Sequence, residues 1–518
     1  VKADPADRTP FILKTENRLF AACALSIVAS AFGFVVRAML LGTLGVEFDL
    51  SESQKGALQG VGLFPFALSI IFFGLIIDRI GYGRAMSFAW VLHILSAIIT
   101  ITAGSYTALY IGTFLFSLAN GIIEAAANPM TATLYPKNKT SRLILLHSGW
   151  AAGLVLGGLV AIALNDLGWR WKIGLFLLPT LVYGPMMLGQ KFPVQERVAA
   201  AVSYADMMKE FGWAGCLIVC IFASYAVNEV GLVFGAGILP SDYSLLVALA
   251  YALVPTFYFA VHFRAFGRPM FILLLLIMIP LATTELGTAS WISDLLTPGL
   301  RSFGASAGSW VLIYTSAIMF GLRFFAGPLA RRLSPVGVLI GCSLLAAAGL
   351  FCLAHAGAAP LRILAAATLF GVGSALFWPT MLGLAAEQFP RGGALTLNAI
   401  GAVGMISVGI LGGPLLGTLQ EASLDRNLSR ASPALYAAVA EPTQQKFGFY
   451  FQPLDKAKIE SLSEPDKGYV KNIIAQTKQA ALAKIAILPS LMFVFFLGLG
   501  FFFLERGGYR QIDLLSPR

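Results

Sequence analysis

The sequence predicts an all-α polytopic membrane protein, and three observations point there. Of its 518 residues, 58% are hydrophobic and only 12% are charged, with a mean hydropathy of +0.79. Soluble domains average about 45–50% apolar and about 25% charged residues. Apolar runs close to the roughly 20 residues that cross a bilayer recur from end to end. The bases fall in short clusters between alternate runs, so the net charge of +10 reports topology and not a nucleic-acid partner.

Residues 1–18 are polar and do not read as a cleavable signal peptide. Spans follow near 19–45, 55–77, 85–104, 107–135, 143–164 and 172–190, which group as a six-helix unit over 19–190. A polar linker, 191–212, leads to two more spans near 213–238 and 243–262. The last six lie near 270–293, 308–330, 335–355, 362–386, 394–418 and 484–504, with a cytoplasmic tail at 505–518. The expected total is fourteen transmembrane helices. Between the last two, residues 419–483 are polar, carry Pro433, Pro442, Pro453 and Pro465, and end in the helix-prone "VKNIIAQTKQAALAKIAI". A loop of that length reads as a gate or as a tolerated insertion, and both stay open.

Alternate loops hold Arg79 and Arg84; Lys137, Lys139 and Arg142; Arg264 and Arg268; Arg331 and Arg332; Arg391; and Arg506 and Arg510. The opposite loops hold Glu47, Asp49, Glu52, Asp166, Asp242 and Asp294. The positive-inside rule then puts both termini in the cytoplasm, in a plasma or bacterial inner membrane. The five cysteines lie in apolar spans and form no disulfide framework. With four histidines and no paired Cys/His ligands, no metal or other cofactor is expected. No G-x-x-x-x-G-K-[ST] or H-E-x-x-H is present, which argues against an ATP-driven pump and a metalloenzyme.

Two turns look like copies. "FGLIIDRIGYGR" (73–84) and "AGPLARRLSPVG" (326–337) align Gly74 with Gly327 and Arg79 with Arg332, both 253 residues apart. "YPKNKTSRL" from Tyr135 and "FPRGGALTL" from Phe389 repeat at an offset of 254. Two homologous halves follow, related as the halves of a transporter are. Gly74, Asp78, Arg79, Gly81 and Arg84 resemble the G-x-x-x-D-R-x-G-[RK]-[RK] turn of the major facilitator superfamily, with Gly83 where a base is common. Gly74 would let helices approach, and Asp78 would face a neighbouring helix N-terminus. The resemblance implies two six-helix bundles, 19–190 and 270–504, with 213–262 as an inserted transmembrane hairpin.

In that superfamily the first, fourth, seventh and tenth core helices line a central cavity. Here they carry Arg37, Glu124, Glu285 and Trp378, and charges at membrane depth nearly always face a bundle interior or a watery cavity. Glu124 and Asn128 share a helix face, and Pro129 frees a backbone carbonyl beside them. "IIEAAANPM", "LLHSGWAAGLVLGG" and "TELGTASW" resemble segments of the fucose permease-like branch of sugar:proton symporters. The resemblance implies Glu124 as the proton-coupling acid, while His147 reads either as a titrating ring or as a packed neutral histidine bonded to a carbonyl. It also implies Asn128 as a hydroxyl contact and Glu285 with Trp291 in the wall of the second half. Trp378 and Trp150 could stack on a sugar face or simply pack.

Arg37 departs from that branch, which carries an acid in this helix. It would either pair with Glu124, or bind an anionic cargo through a charge-assisted fork, as in organic-anion carriers of the superfamily. Arg323, Arg331 and Arg332 read as structural or gating residues at the inner end of the eighth core helix, with Glu387 as a mirror-half counterpart. The expected function is secondary active transport of a small sugar-like solute by alternating access, coupled to protons and carried out by a monomer. An organic-anion carrier built on Arg37 is the first alternative. A receptor or sensor that binds without turnover is the second, and neither alternative is an enzyme.

Overall fold

The computed structural model describes residues 9–50, 52–164, 166–233, 244–288, 307–357, 359–446 and 448–514. Trp291, Asp242 and Asp294 lie outside these described residues. Eleven helices are long and apolar enough to cross a membrane. The remaining expected spans occur as shorter or interrupted helical segments.

The first half begins with α1 (Thr9–Glu47), a short α2 (Glu52–Gly60) and α3 (Phe64–Ile80). It continues through α4 (Tyr82–Ile101), α5 (Tyr106–Leu134) and α6 (Lys139–Ala163) to a broken pair, α7 (Trp169–Gly174) and α8 (Leu177–Met187). Apolar faces of these helices meet in two clusters, a large one shared with the second half and a smaller one that includes Val36, Leu58, Phe116 and Ile173. Gly81 turns α3 into α4 with φ of 82°, a left-handed conformation that favours glycine. The linker carries a single turn, α9 (Glu196–Ala199).

The inserted hairpin is α10 (Tyr204–Val233) and α11 (Ser244–Phe263). Its first helix begins nine residues before the expected span, and the backbone leaves helical geometry at Gly212, where the expected linker ends. Gly212 and Gly267 touch so closely there that a Cβ on either would lie within 2.5 Å of the other strand's backbone. Glu210 ties the base of the hairpin to the next helix by accepting two bonds from Arg268 at 2.9 and 3.0 Å.

The second half comprises α12 (Pro269–Ala282) running into a π turn at Thr283–Gly287, then α13 (Ala307–Phe325) and the short α14 (Gly327–Arg332). Next come α15 (Pro335–Ala354), the interrupted pair α16 (Pro360–Ser374) and α17 (Phe377–Gln388), and α18 (Gly393–Ser407). A second π turn at Val408–Gly412 leads into α19 (Gly413–Ala431). The two π turns face each other through Gly287 and Gly412. The halves are joined by two matching helix pairs, α3 with α18 and α13 with α6. In the first pair Gly74 lies against Asn398, and just past the second pair Gly327, at the start of α14, lies against Ser141 of α6. The duplicated turns thus dock on equivalent helices of the opposite half.

The stretch expected to be a long loop is folded. After α19 come α20 (Pro433–Val439), a hairpin of β1 (Gln444–Lys446) and β2 (Phe449–Phe451), and α21 (Lys456–Glu460). Then α22 (Glu464–Ile485) runs back and continues into α23 (Ile487–Glu505). Leu428, Val439, Ile459 and Val470 form a separate small core there. Asn427 bonds Thr477 at 2.9 Å and Lys484 bonds Ser423 at 2.7 Å, so α19 and α22 form an antiparallel stalk. Gln479 anchors the stalk to the carbonyls of Leu353 and Gly357 at 3.0 Å each.

Candidate functional site

Proline at the middle of a helix leaves the carbonyl four residues earlier without its N–H partner. Among the helix prolines, one in each half does so at matching places. Pro129 frees the carbonyl of Ala125, and Pro379 frees that of Ala375. Both carbonyls are taken by a side chain from elsewhere in the fold. Asn398 of α18 donates to Ala125 O at 3.1 Å, and Arg323 of α13 donates through Nε to Ala375 O at 2.6 Å. The carbonyl expected to be free for cargo beside Glu124 is therefore occupied by the opposite half.

Around Ala375 the tenth core helix is broken into α16 and α17, and its two exposed ends carry opposite partial charges. Arg323 sits on the carbonyl end. Glu285, held in the π turn, accepts from the N–H of Trp378 at 2.9 Å at the other end. The guanidinium and carboxylate then meet each other at 2.6 Å, with side-chain exposures of 1% and 2%. Leaving either charge alone at this depth would cost several kcal/mol. Arg323 lies in the last turn of α13, and of the two outcomes open to a base there, snorkelling or pairing with an acid, its side chain takes the second and turns inward to Glu285. Glu285 is already satisfied by two donors, so its expected role as a free wall for cargo does not match its surroundings.

Arg323 also crosses to the first half, donating through Nη1 to the carbonyl of His147 at 3.0 Å. The His147 ring meets Asn128 Oδ1 at 2.9 Å and lies 3.9 Å from Glu124 Oε2. Asn128 in turn donates to Glu124 Oε2 at 2.6 Å. The result is one buried polar chain, Glu124–Asn128–His147–Arg323–Glu285–Trp378, spanning both halves. One turn beyond His147, the indole Nε1 of Trp150 is buried with no partner, and its ring tilts against Phe34 at 5.9 Å.

Arg37 is not part of that chain. Its guanidinium lies 3.9 Å from the centre of the Phe116 ring and 5.1 Å from that of Phe176. It donates to Gly33 O at 3.3 Å and Ser96 Oγ at 3.2 Å, and its Nε has no partner. The pairing with Glu124 considered from sequence does not form. Phe116 precedes Glu124 by eight residues on α5, about 12 Å along a helix, so the two charges sit at different depths. Among the described residues no carboxylate pairs with Arg37. Beside it, His93 bonds Asn120 at 2.8 Å and Tyr183 at 3.1 Å.

On the face that carries both chain ends, called here the termini face, the halves are sealed. Asp78 accepts from Arg197 of α9 at 2.5 and 3.0 Å, a partner the sequence did not suggest. Lys139 bonds Glu196 at 2.5 Å and the carbonyl of Ala386 at 3.2 Å. Glu387 takes the N–H and hydroxyl of Thr140 at 3.2 and 2.6 Å on one oxygen, and Tyr509 of the tail at 2.7 Å on the other. The tail reaches the first half where Gln511 donates to Pro136 O at 2.5 Å. Arg79 stacks 4.7 Å from the Tyr204 ring, while Arg84 and Arg332 are exposed and Arg331 precedes Arg332 at the end of α14. The linker and tail partners carry no motif of their own, which is why the sequence did not expose them.

A family profile described as Major Facilitator Superfamily matches residues 22–304. A Bacillus subtilis protein named for niacin/nicotinamide transport is 22% identical over 321 residues, 58% of this chain and 80% of its own. The cis,cis-muconate transport protein of Acinetobacter baylyi is 29% identical over 164 residues, 30% of this chain and 39% of its own. Among solved structures, the proton:xylose symporter XylE superimposes with a TM-score of 0.60 at 13% identity, covering 92% of this chain and 95% of that one. The Escherichia coli fucose:proton symporter FucP gives 0.57 at 16% identity, covering 92% and 98%. At such identities these structures speak to the fold alone. With two homologous helical halves joined through matching helix pairs, the chain belongs to the major facilitator superfamily.

Proposed function

We propose that this transporter carries an organic carboxylate, held by Arg37, in exchange for or together with protons taken up by Glu124. The observation that carries the reading is the condition of Arg37. It is a guanidinium at membrane depth, cradled by two aromatic rings, with one N–H unpartnered and no carboxylate against it among the described residues. A carboxylate cargo would supply the missing countercharge through a fork of N–H donors. Two relatives named for niacin/nicotinamide and cis,cis-muconate transport fit a planar acid stacked near Phe116.

Glu124 suits a proton carrier because its hydrogen-bond partner is the neutral Asn128 and its nearest titratable ring, His147, stands 3.9 Å away. Asn128 can turn its amide to serve either state of the acid. Alternating access then requires cargo and proton to bind the two orientations with different affinities. A monomer suffices, and positive-inside charge places the sealed termini face in the cytoplasm.

A sugar or polyol cargo is the second reading. The unpartnered indole N–H of Trp150, close to the Asn128–His147 pair, favours it as a site for hydroxyls. Counterflow in proteoliposomes separates these readings from a non-transporting sensor, which would bind ligand without exchanging it. Replacing Arg37 by Ala or Lys is the deciding experiment for cargo. Loss of exchange confined to carboxylates supports the anion reading, and undiminished carboxylate exchange overturns it.

A further inference from the structure

An apolar groove of about 460 Å³ runs along the outside of the seam between the halves. Its walls come from α1, α6 and α8 of the first half and α13 of the second, including Ala21, Leu25, Val28, Leu145, Ala152 and Phe324. Its floor at Ser148 adjoins His147, and its far wall, Phe320 and Phe324, brackets Arg323. The groove therefore lies beside one of the hydrogen bonds that join the two halves, from Arg323 to the carbonyl of His147.

Two arginines sit one turn below the groove, toward the termini face. Arg18, Ala21, Leu25 and Val28 share a face of α1, and Arg142, Leu145, Gly149 and Ala152 share a face of α6. Arg18 reaches the carbonyls of Met186 and Pro185 at 2.8 and 3.2 Å. Arg142 lies 4.3 Å from the Tyr135 ring and 5.9 Å from that of Phe20, itself a groove residue. Neither has an ion-pair partner among the described residues, although Glu16 lies within charge range of Tyr135.

A long apolar trough ending at two guanidiniums without ion-pair partners among the described residues, at the termini-face ends of apolar helices, matches one occupant. We infer that an anionic phospholipid of the leaflet on the termini face lays an acyl chain in this groove and its phosphate between Arg18 and Arg142. The chain contributes apolar burial, and the bases contribute attraction for a negative headgroup. Because the walls belong to both halves, the lipid favours the arrangement in which α6 and α13 are apposed. The idea does not depend on what the transporter carries.

The test is native mass spectrometry of the full chain released from nanodiscs of phosphatidylglycerol and phosphatidylcholine in equal amounts. The wild type should retain phosphatidylglycerol in preference. Arg18→Gln with Arg142→Gln should lower that retention roughly tenfold or more, and Arg18→Lys with Arg142→Lys should keep most of it. Ala152→Phe, which fills the groove and leaves both bases, should also lower it. Equal retention of both lipids by the wild type overturns the proposal, as does an unaffected glutamine double variant. An unaffected Ala152→Phe variant overturns the groove as the binding place.

Discussion

Arg323 and Glu285 meet at 2.6 Å with both side chains almost fully buried, and each also holds one end of the same break between α16 and α17. The pair neutralises two membrane-depth charges and two helix-end dipoles at once. It is a structural clasp of the second half that also reaches across to His147.

Arg323→Gln should therefore destabilise the protein by about 3–5 kcal/mol, the range for breaking a buried pair from one side. The charge left on Glu285 is the main cost. Joint replacement of Arg323 and Glu285 by methionine should recover much of that loss, since an apolar pair of similar size leaves no buried ion. Thermal unfolding in detergent measures both. A Gln variant as stable as the wild type would remove the clasp from this account.

Glu124→Gln keeps the shape of the side chain and an oxygen for the Asn128 amide, but it cannot take up a proton. Uptake driven by a pH gradient should fall to background while counterflow of the same cargo persists. If gradient-driven uptake continues at the wild-type rate, Glu124 is a packing residue and the proton must travel elsewhere.

The spans and the duplication were legible because burial in lipid demands long apolar runs and because a repeat leaves its spacing in the chain. Glu124 and Glu285 stood out as isolated charges, and Asn128 as the residue one turn from an acid. What stayed hidden depends on side-chain direction. Arg37 and Glu124 both lie in cavity-lining helices by number, yet Arg37 meets Ser96, Phe116 and Phe176 and not Glu124. Arg323 looked like a helix-end base because α13 ends two residues later. A usable signal was missed in the second proline: Asn128–Pro129 and Trp378–Pro379 stand 250 residues apart. That spacing would have predicted two freed carbonyls, each needing a donor.

The seal on the termini face should open more readily when its buried ion pairs are cut. Asp78→Asn leaves Arg197 without its carboxylate, and Lys139→Gln does the same to Glu196. Thr133→Cys, beside Lys139 and Glu196 in a small cavity behind the seal, reports access from that side. Thiol labelling should quicken by at least about tenfold in either background, since a tenfold change is only about 1.4 kcal/mol. Tyr509→Phe removes one hydrogen bond to Glu387 and should quicken it less, by about fivefold for a loss near 1 kcal/mol. Labelling that stays slow in the Asp78 variant would show that the linker is not what closes this face.

The subdomain formed by residues 432–463 and the stalk has its own small core, and Gln479 anchors it to the second half. Its unfolding should accordingly be separable from that of the membrane helices. Val439 is fully buried against Leu428, Ile459 and Val470, so Val439→Asp puts an unpaired charge where no polar partner exists. Limited proteolysis should then cut between 440 and 463 far faster than in the wild type, while the main thermal transition in detergent stays within a few degrees. Because the stalk helices continue into α18 and α23 through the second π turn and Ala486, a fall of the main transition together with the cuts would mean the opposite. The stalk would then be an integral brace of the second half, and its motion would have to accompany every change of access.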